Sequence, residues 1–177
     1  MGPSGILRRM SARFCSQCGT GLATEEIEGR PRGRCPECGI VAYENPVPAA
    51  AVAILDGRRI LLCRRSIEPY KGQWGLPAGY QEVDETIETA AVREVREETG
   101  LVVRLTGLVD VFTTPDDPRK PSILVVYEAE AVDGELCPGD DVDEVAYVSL
   151  DKLPEDIAFV NNRIVLERLR TGEERAW

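Results

Sequence analysis

Long apolar runs are missing from this 177-residue chain. None approaches the roughly 18 residues that a bilayer span needs, and the opening MGPSGILRRM lacks the apolar core of a secretion signal. A membrane span is thereby excluded, and a soluble, cytoplasmic protein is expected. Positive charge is also scarce: 21 lysines and arginines stand against 31 aspartates and glutamates, a formal net charge of -10. Such a surface repels nucleic acid and anionic membrane at long range, so neither is expected as a partner. It also disfavours a phosphorylated small molecule unless a cation mediates. Internal repeats and low-complexity segments are absent too. What is present is a 43% hydrophobic composition, enough for the core of one ordinary domain with a small appendage.

The charge is uneven along the chain. Residues 1–46 carry six basic and five acidic side chains, and the remainder carries fifteen and twenty-six. The first segment also holds Cys15-Ser-Gln-Cys18 and Cys35-Pro-Glu-Cys38, a C-x2-C-x16-C-x2-C pattern with the spacing of two thiolate knuckles sharing one tetrahedral zinc. Gly19 and Gly39 follow the knuckles, where the backbone must turn around a metal. Two disulfides would use the same cysteines, but a reducing compartment disfavours them. Four protein ligands close the site, so one structural Zn2+ is expected. Cys63 and Cys137 stand alone, and Cys63, in an apolar run, reads as a buried small hydrophobe. The two prolines of AYENPVP, residues 42–48, suit an extended link with a boundary near Asn45. The expected division is a tail over 1–13, a ribbon over 14–45, a larger domain over 46–172 and a tail over 173–177.

In the larger segment, AAAVAILDGRRILLCRR reads as two strands joined at Asp56-Gly57, and residues 66–78 as a loop. From an N-cap at Asp84 a helix runs through ETIETAAVREVREET, with Ile87, Ala91 and Val95 on one side and Gly100 as its stop. LVVRLTGLVDVFTT, SILVVYEAEA and DEVAYVSL read as strands and residues 160–171 as a closing helix. Glu97 and Glu98 lie three and four residues beyond Glu94, so all three project within an arc of about 100°. Like charges at this spacing cost a few tenths of a kcal/mol each in an exposed helix. The cluster is therefore either a solvated acidic face or a face that meets something positive.

From Gly79 the chain reads GYQEVDETIETAAVREVREETGL, which is G-x5-E-x7-R-E-U-x-E-E-x-G-U with Val95 and Leu101 at the apolar U positions. This resembles the Nudix box with every defined position filled. The ribbon, AYENP and WGLPAGY extend the likeness to the subgroup typified by plant enzymes acting on FAD or ADP-ribose. The resemblance implies an α/β fold, a Nudix α/β/α sandwich with a mixed sheet preceded by a small zinc ribbon. It also implies a homodimer that hydrolyses the pyrophosphate of a small nucleotide with Mg2+ or Mn2+. By the same resemblance Glu94 and Glu98 are direct metal ligands, Glu97 holds a metal or its water, and the backbone carbonyl of Ala78 adds an oxygen. Arg93 and Glu85 would pair across the loop and the helix, fixing the glutamates. Mg2+ suits the task because it takes oxygen ligands, bridges to phosphates and lowers the pKa of water.

Other candidates are less tightly determined. By the resemblance the general base is either a glutamate of the box or an acid from a distant loop; the acidic loop GDDVDE, residues 139–144, offers Asp141 and Glu144, or is a solvated turn. Arg64 and Arg65 suit a phosphate or a sheet edge. Trp74 and Phe159 suit a stacked base or flavin ring, or the core. NADH pyrophosphatases share the ribbon and the box, but their SQPWPFP-type stretch is absent from residues 101–177. A nucleic-acid-binding or scaffolding role for the ribbon finds no support in its near-neutral charge and lack of an aromatic-basic stripe.

Overall fold

The computed structural model describes residues 12–113, 121–139 and 141–173. Most of the two expected tails, and Asp140 of the acidic loop, lie outside these residues. The chain divides into two compact units between Asn45 and Pro46.

The first unit is a three-stranded antiparallel sheet of β1 (Ala23–Ile27), β2 (Arg30–Arg34) and β3 (Val41–Ala42), in the order β1-β2-β3. Its two knuckles repeat one geometry. Gly19 and Gly39 donate their N–H groups to the carbonyls of Cys15 and Cys35, each at 3.0 Å, with φ of 73° and 74°, a conformation that costs glycine nothing. Arg32 covers the Tyr43 ring at 4.5 Å.

The second unit contains β4 (Val47–Asp56), β5 (Arg59–Arg65), β6 (Trp74–Gly75), β7 (Ala78–Tyr80), α1 (Ile87–Thr99), β8 (Leu101–Phe112), β9 (Ser122–Gly134), β10 (Val142–Ser149) and α2 (Val160–Thr171). The main strand order is β10-β5-β4-β9-β8; β4 and β9 are parallel and the other pairings are antiparallel, so the sheet is mixed. A helix covers each face, and strand alternation shows why. Ala50, Val52, Ile54 and Leu61 pack with Ala91 and Val95 of α1. Their neighbours Ala51, Ala53, Ile60 and Leu62 pack with Val165 and Leu166 of α2. On the α2 side, buried Asp110 of β8 is ion-paired to Arg168.

Three local expectations shift. The hairpin turn is Gly57-Arg58, with Asp56 paired to Arg59 and positive φ at Gly57 alone, as a type II′ turn needs. The cap of α1 is Thr86, whose side chain accepts the Thr89 N–H at 3.2 Å, and not Asp84. The helix does not reach back to Glu85, whose carbonyl accepts the Gln81 side-chain amide at 2.6 Å while the Thr89 N–H that a longer helix would bring to it goes to the Thr86 hydroxyl. The stretch 66–78 is not all loop: β6 lies within it because Trp74 and Gly75 pair with Arg64 and Cys63 at an edge of β5 that β4 has left.

Candidate active site

The site begins with a split in the sheet. β4 and β5 pair only at Leu55–Ile60 and Asp56–Arg59 and then diverge. Beyond that point Ala49–Ala51 of β4 pair with β7, and Cys63 and Arg64 of β5 pair with β6. The gap becomes a cleft of about 330 Å³, walled by Ala49, Cys63, Gly75, Leu76, Ala78 and Gly79. Glu94 and Glu98 enter from α1, Arg65 from β5, Asp141 from the loop before β10, and Phe159, Asn161 and Asn162 from the start of α2.

Arg93 organises the acids. Its Nε and Nη2 donate to the two oxygens of Glu85 at 3.1 and 2.7 Å, Nη2 also to the Tyr80 carbonyl at 3.0 Å, and Nη1 to Glu94 at 2.7 Å and Glu97 at 2.8 Å. The Glu85 and Glu94 side chains are 9% and 15% exposed, but that of Glu97 is 58% exposed, so the three do not share one environment. Glu98 instead accepts the Ala78 N–H at 3.0 Å, tying α1 to the cleft wall. Gly79 allows this close fit, since a Cβ there would lie 2.1 Å from the Glu94 carboxylate.

Electrostatics follow from this packing. Burial pushes the Glu98 carboxyl from an ordinary 4.5 up to about 8, with Glu94 and Asp141 adding repulsion. Burial also raises Glu94, against the opposing pull of Arg93. The hydrogen bonds from Arg93 lower Glu85. Burial raises the Cys63 thiol well above its usual range, so it stays neutral beneath Glu98.

The remaining candidates separate in pairs. Arg65 lines the cleft, donates to the Pro69 carbonyl at 2.8 Å and lies over the Phe159 ring at 5.1 Å. Arg64 is ion-paired at 3.2 Å with Glu144, opposite it on β10, and neither lines the cleft. Phe159 meets the cleft, with Tyr70 edge-on at 4.8 Å; Trp74 packs against the apolar cluster on the α2 side. Asn161 and Asn162 escaped the sequence reading. The sequence offered only two adjacent amides at a helix start; the fold buries both, and Asn162 donates to the Ala158 carbonyl at 3.0 Å.

In the first unit, Cys15, Cys18, Cys35 and Cys38 offer sulfurs that all lie within 4.8 Å of one another, the one such metal-ligand group of three or more among the described residues. The glutamates of α1 are more spread because Glu94 and Glu97 face Arg93 while Glu98 faces Ala78.

The Nudix domain profile matches residues 45–169, and the profile of the zinc ribbon found N-terminal to such domains matches residues 13–44. The chain belongs to the Nudix family. This Nudix hydrolase is 39% identical over 129 residues to the ADP-ribose pyrophosphatase of Methanocaldococcus jannaschii, covering 72% of this chain and 76% of that one. It is 34% identical over 143 residues to the NAD-capped RNA hydrolase NudC of Pseudomonas aeruginosa, and there spans 80% of its own length but only 49% of the relative's. Among solved structures, a Nudix hydrolase from Nitrosomonas europaea superimposes with a TM-score of 0.83 at 33% identity, covering 92% of each chain.

The Glu98 shift has a consequence for stability. The folded carboxyl keeps its proton to about pH 8, and the unfolded one releases it near 4.5. Its contribution is therefore fully present below pH 4.5 and is lost as pH rises to about 8. In chelator-treated protein, the unfolding free energy of the wild type minus that of Glu98→Gln should fall across this window. Urea titrations at several pH values check it, and a flat difference contradicts the burial argument.

Proposed function

We propose that this Nudix hydrolase cleaves the pyrophosphate of a nucleoside diphosphate joined to another moiety, ADP-ribose or FAD. The observation that carries the reading is the cleft, where Glu94, Glu98 and Asp141 converge beside Arg65 and two of the acids are raised by burial. Six carboxylates (Glu82, Glu94, Glu98 and Asp141 in the cleft, Glu85 and Glu97 beside it on Arg93) stand against two guanidinium groups, Arg65 and Arg93. That surplus of hard oxygen donors, with Glu94 and Glu98 desolvated among them, fits Mg2+ or Mn2+. Glu94, Glu97, Glu98 and the Ala78 carbonyl are the groups that would hold it, Glu94 and Glu97 turning from Arg93 to do so. When bound, the cation supplies positive charge to the phosphates and acidifies water.

The chain's own residues do the rest. Arg93 fixes Glu85 and the Tyr80 backbone, and so holds the loop against α1. Asp141, inside the cleft, takes the proton from the attacking water; Glu144 is engaged with Arg64. Arg65 faces the phosphate oxygens, and Phe159 presents a flat ring to a base or flavin. Water adds to one phosphorus, the anhydride P–O bond breaks, and the other phosphate leaves: AMP and ribose 5-phosphate from ADP-ribose, AMP and FMN from FAD. The archaeal pyrophosphatase supports ADP-ribose, and the NudC relatives support a second reading in which an NAD-type dinucleotide is cleaved.

Chromatographic analysis of products from matched reactions with ADP-ribose, FAD, NADH, an NAD-capped RNA and a nucleoside triphosphate tests the assignment. Preference for ADP-ribose or FAD is expected, with turnover lost on chelation and kcat lowered on the order of 10² or more in Glu98→Gln. Preference for the triphosphate, NADH or the capped RNA contradicts the substrate reading.

The ribbon is proposed to hold one Zn2+. The Cys15–Cys38, Cys18–Cys35 and Cys18–Cys38 sulfurs lie 3.5, 3.4 and 3.8 Å apart. Tetrahedral ligands with Zn–S near 2.3 Å would be about 3.8 Å apart. The Thr20 side chain and backbone lower the Cys18 thiol, while, against the pull of the Ile40 backbone, Cys35 and Cys15 raise that of Cys38, as expected of sulfurs crowded together without a cation between them. Elemental analysis should find one zinc per chain, and Cys35→Ser should open residues 15–38 to protease while the second unit stays resistant. Protein free of zinc and equally resistant contradicts the site.

A further inference from the structure

The last turn of α1 and the loop before β10 meet along their backbones. A helix leaves its final carbonyls without partners inside the helix. Here the Gly100 N–H takes the Arg96 carbonyl at 3.0 Å, and the loop supplies two more donors: Cys137 N–H to the Thr99 carbonyl and Gly139 N–H to the Glu98 carbonyl, each at 3.0 Å. The Cα of Gly139 lies so near the helix that a Cβ there would sit 1.7 Å from the Glu97 carbonyl oxygen and 3.1 Å from Glu98 Cα. Backbone does not yield at such a distance, so any other residue must lift the loop away. On the far side of Asp140 the Val142 N–H donates to the Gly139 carbonyl at 3.2 Å, and the Asp141 carbonyl accepts the Ser66 N–H at 2.9 Å. The loop is thus pinned to α1 through Cys137 and Gly139 and to the residue after β5 through the backbone of Asp141, whose side of the loop lines the cleft.

We infer that Gly139 is a positioning residue for hydrolysis: its missing side chain lets the loop dock on the last turn of α1, and that docking sets Asp141 against the carboxylates of the same helix. This rests on Asp141 acting in the cleft as proposed above. The helix that carries Glu94 and Glu98 thereby also sets the distance to the acid from the distant loop, through backbone hydrogen bonds. Glycine's contribution is closeness; its φ at this position is not in the left-handed range.

A double-mutant cycle separates this role from a structural one. Asp141→Asn should lower kcat on the order of 10². Gly139→Ala should lower kcat about 10-fold or more with KM within about twofold, and the double variant should be no slower than Asp141→Asn, because a misplaced acid and a missing one are the same defect. The pH dependence of kcat should change alike in both single variants. Hydrogen exchange should show faster exchange at residues 137–142 in Gly139→Ala, with residues 87–96 protected as in the wild type. Wild-type kcat in Gly139→Ala, wild-type kcat in Asp141→Asn, or losses that multiply in the double variant overturn the inference. Should Gly139→Ala fail to fold, Pro138→Gly loosens the same loop without a clash; a several-fold loss of kcat, absent in the Asp141→Asn background, is then expected, and undiminished kcat overturns it. A wild-type chain that cleaves no nucleotide overturns the functional reading and this inference together, whereas turnover with an indifferent Gly139 overturns this inference alone.

Discussion

The Arg93 guanidinium is the contact on which the cleft depends. A guanidinium has five N–H donors in a fixed fork, and here five bonds leave it: two to Glu85, one to the Tyr80 carbonyl, one to Glu94 and one to Glu97. They tie the end of β7, the turn before α1 and the acidic face of α1 to a single planar group. A lysine could not replace it, because one ammonium cannot meet a bidentate carboxylate, a carbonyl and two further acids together. The same bonds allow like charges to share a helix face. Without them Glu94 and Glu97 would repel each other at a spacing that an exposed helix penalises.

The second constraint is the parting of β4 and β5. A hairpin closed by Gly57-Arg58 begins as paired strands and opens within two residue pairs, and the unpaired edges are met by β6 and β7. β4 at this level is Ala49-Ala50-Ala51, three small residues that are all buried. Small side chains let α1 and the β7 backbone come close, so that Glu98 reaches the Ala78 N–H. Two of the acids thereby lose their water, and it is this loss, more than their number, that turns an acidic helix face into a candidate cation site.

Much of this was legible in the residues. The i, i+3, i+4 glutamates, the CxxC pairs and the alternating apolar strands each obey a local rule that tertiary structure does not override. The mixed sheet with helices on both faces follows the family resemblance. What local rules did not reveal depends on contacts distant in sequence. Asp84 and Thr86 are both acceptable caps by composition, and Thr86 is the one used, with the Glu85 carbonyl between them given to the Gln81 side chain instead of to the helix. Arg64 and Arg65 are neighbours in a strand and must face opposite sides, but only the register with β10 shows that Arg64 meets Glu144 and that Arg65 turns to the cleft. Asn161 and Asn162 looked like ordinary helix-start polar residues, and only the fold shows that they are buried at the edge of the cleft. Gly139 stood in an acidic loop whose docking on α1 no periodicity encodes.

The central claim is that the acids of α1 are a cation site inside a pyrophosphate-binding cleft. The most direct measurement is a crystal structure with Mn2+ and a non-hydrolysable ADP-ribose analogue, with the metal located by its anomalous scattering. Manganese should lie on the carboxylates of Glu94 and Glu98, with the analogue's phosphates beside Arg65 and Glu85 still held by Arg93. Manganese bound elsewhere on the acidic surface, with Glu94 and Glu97 still on Arg93 and the cleft without phosphate, would contradict it.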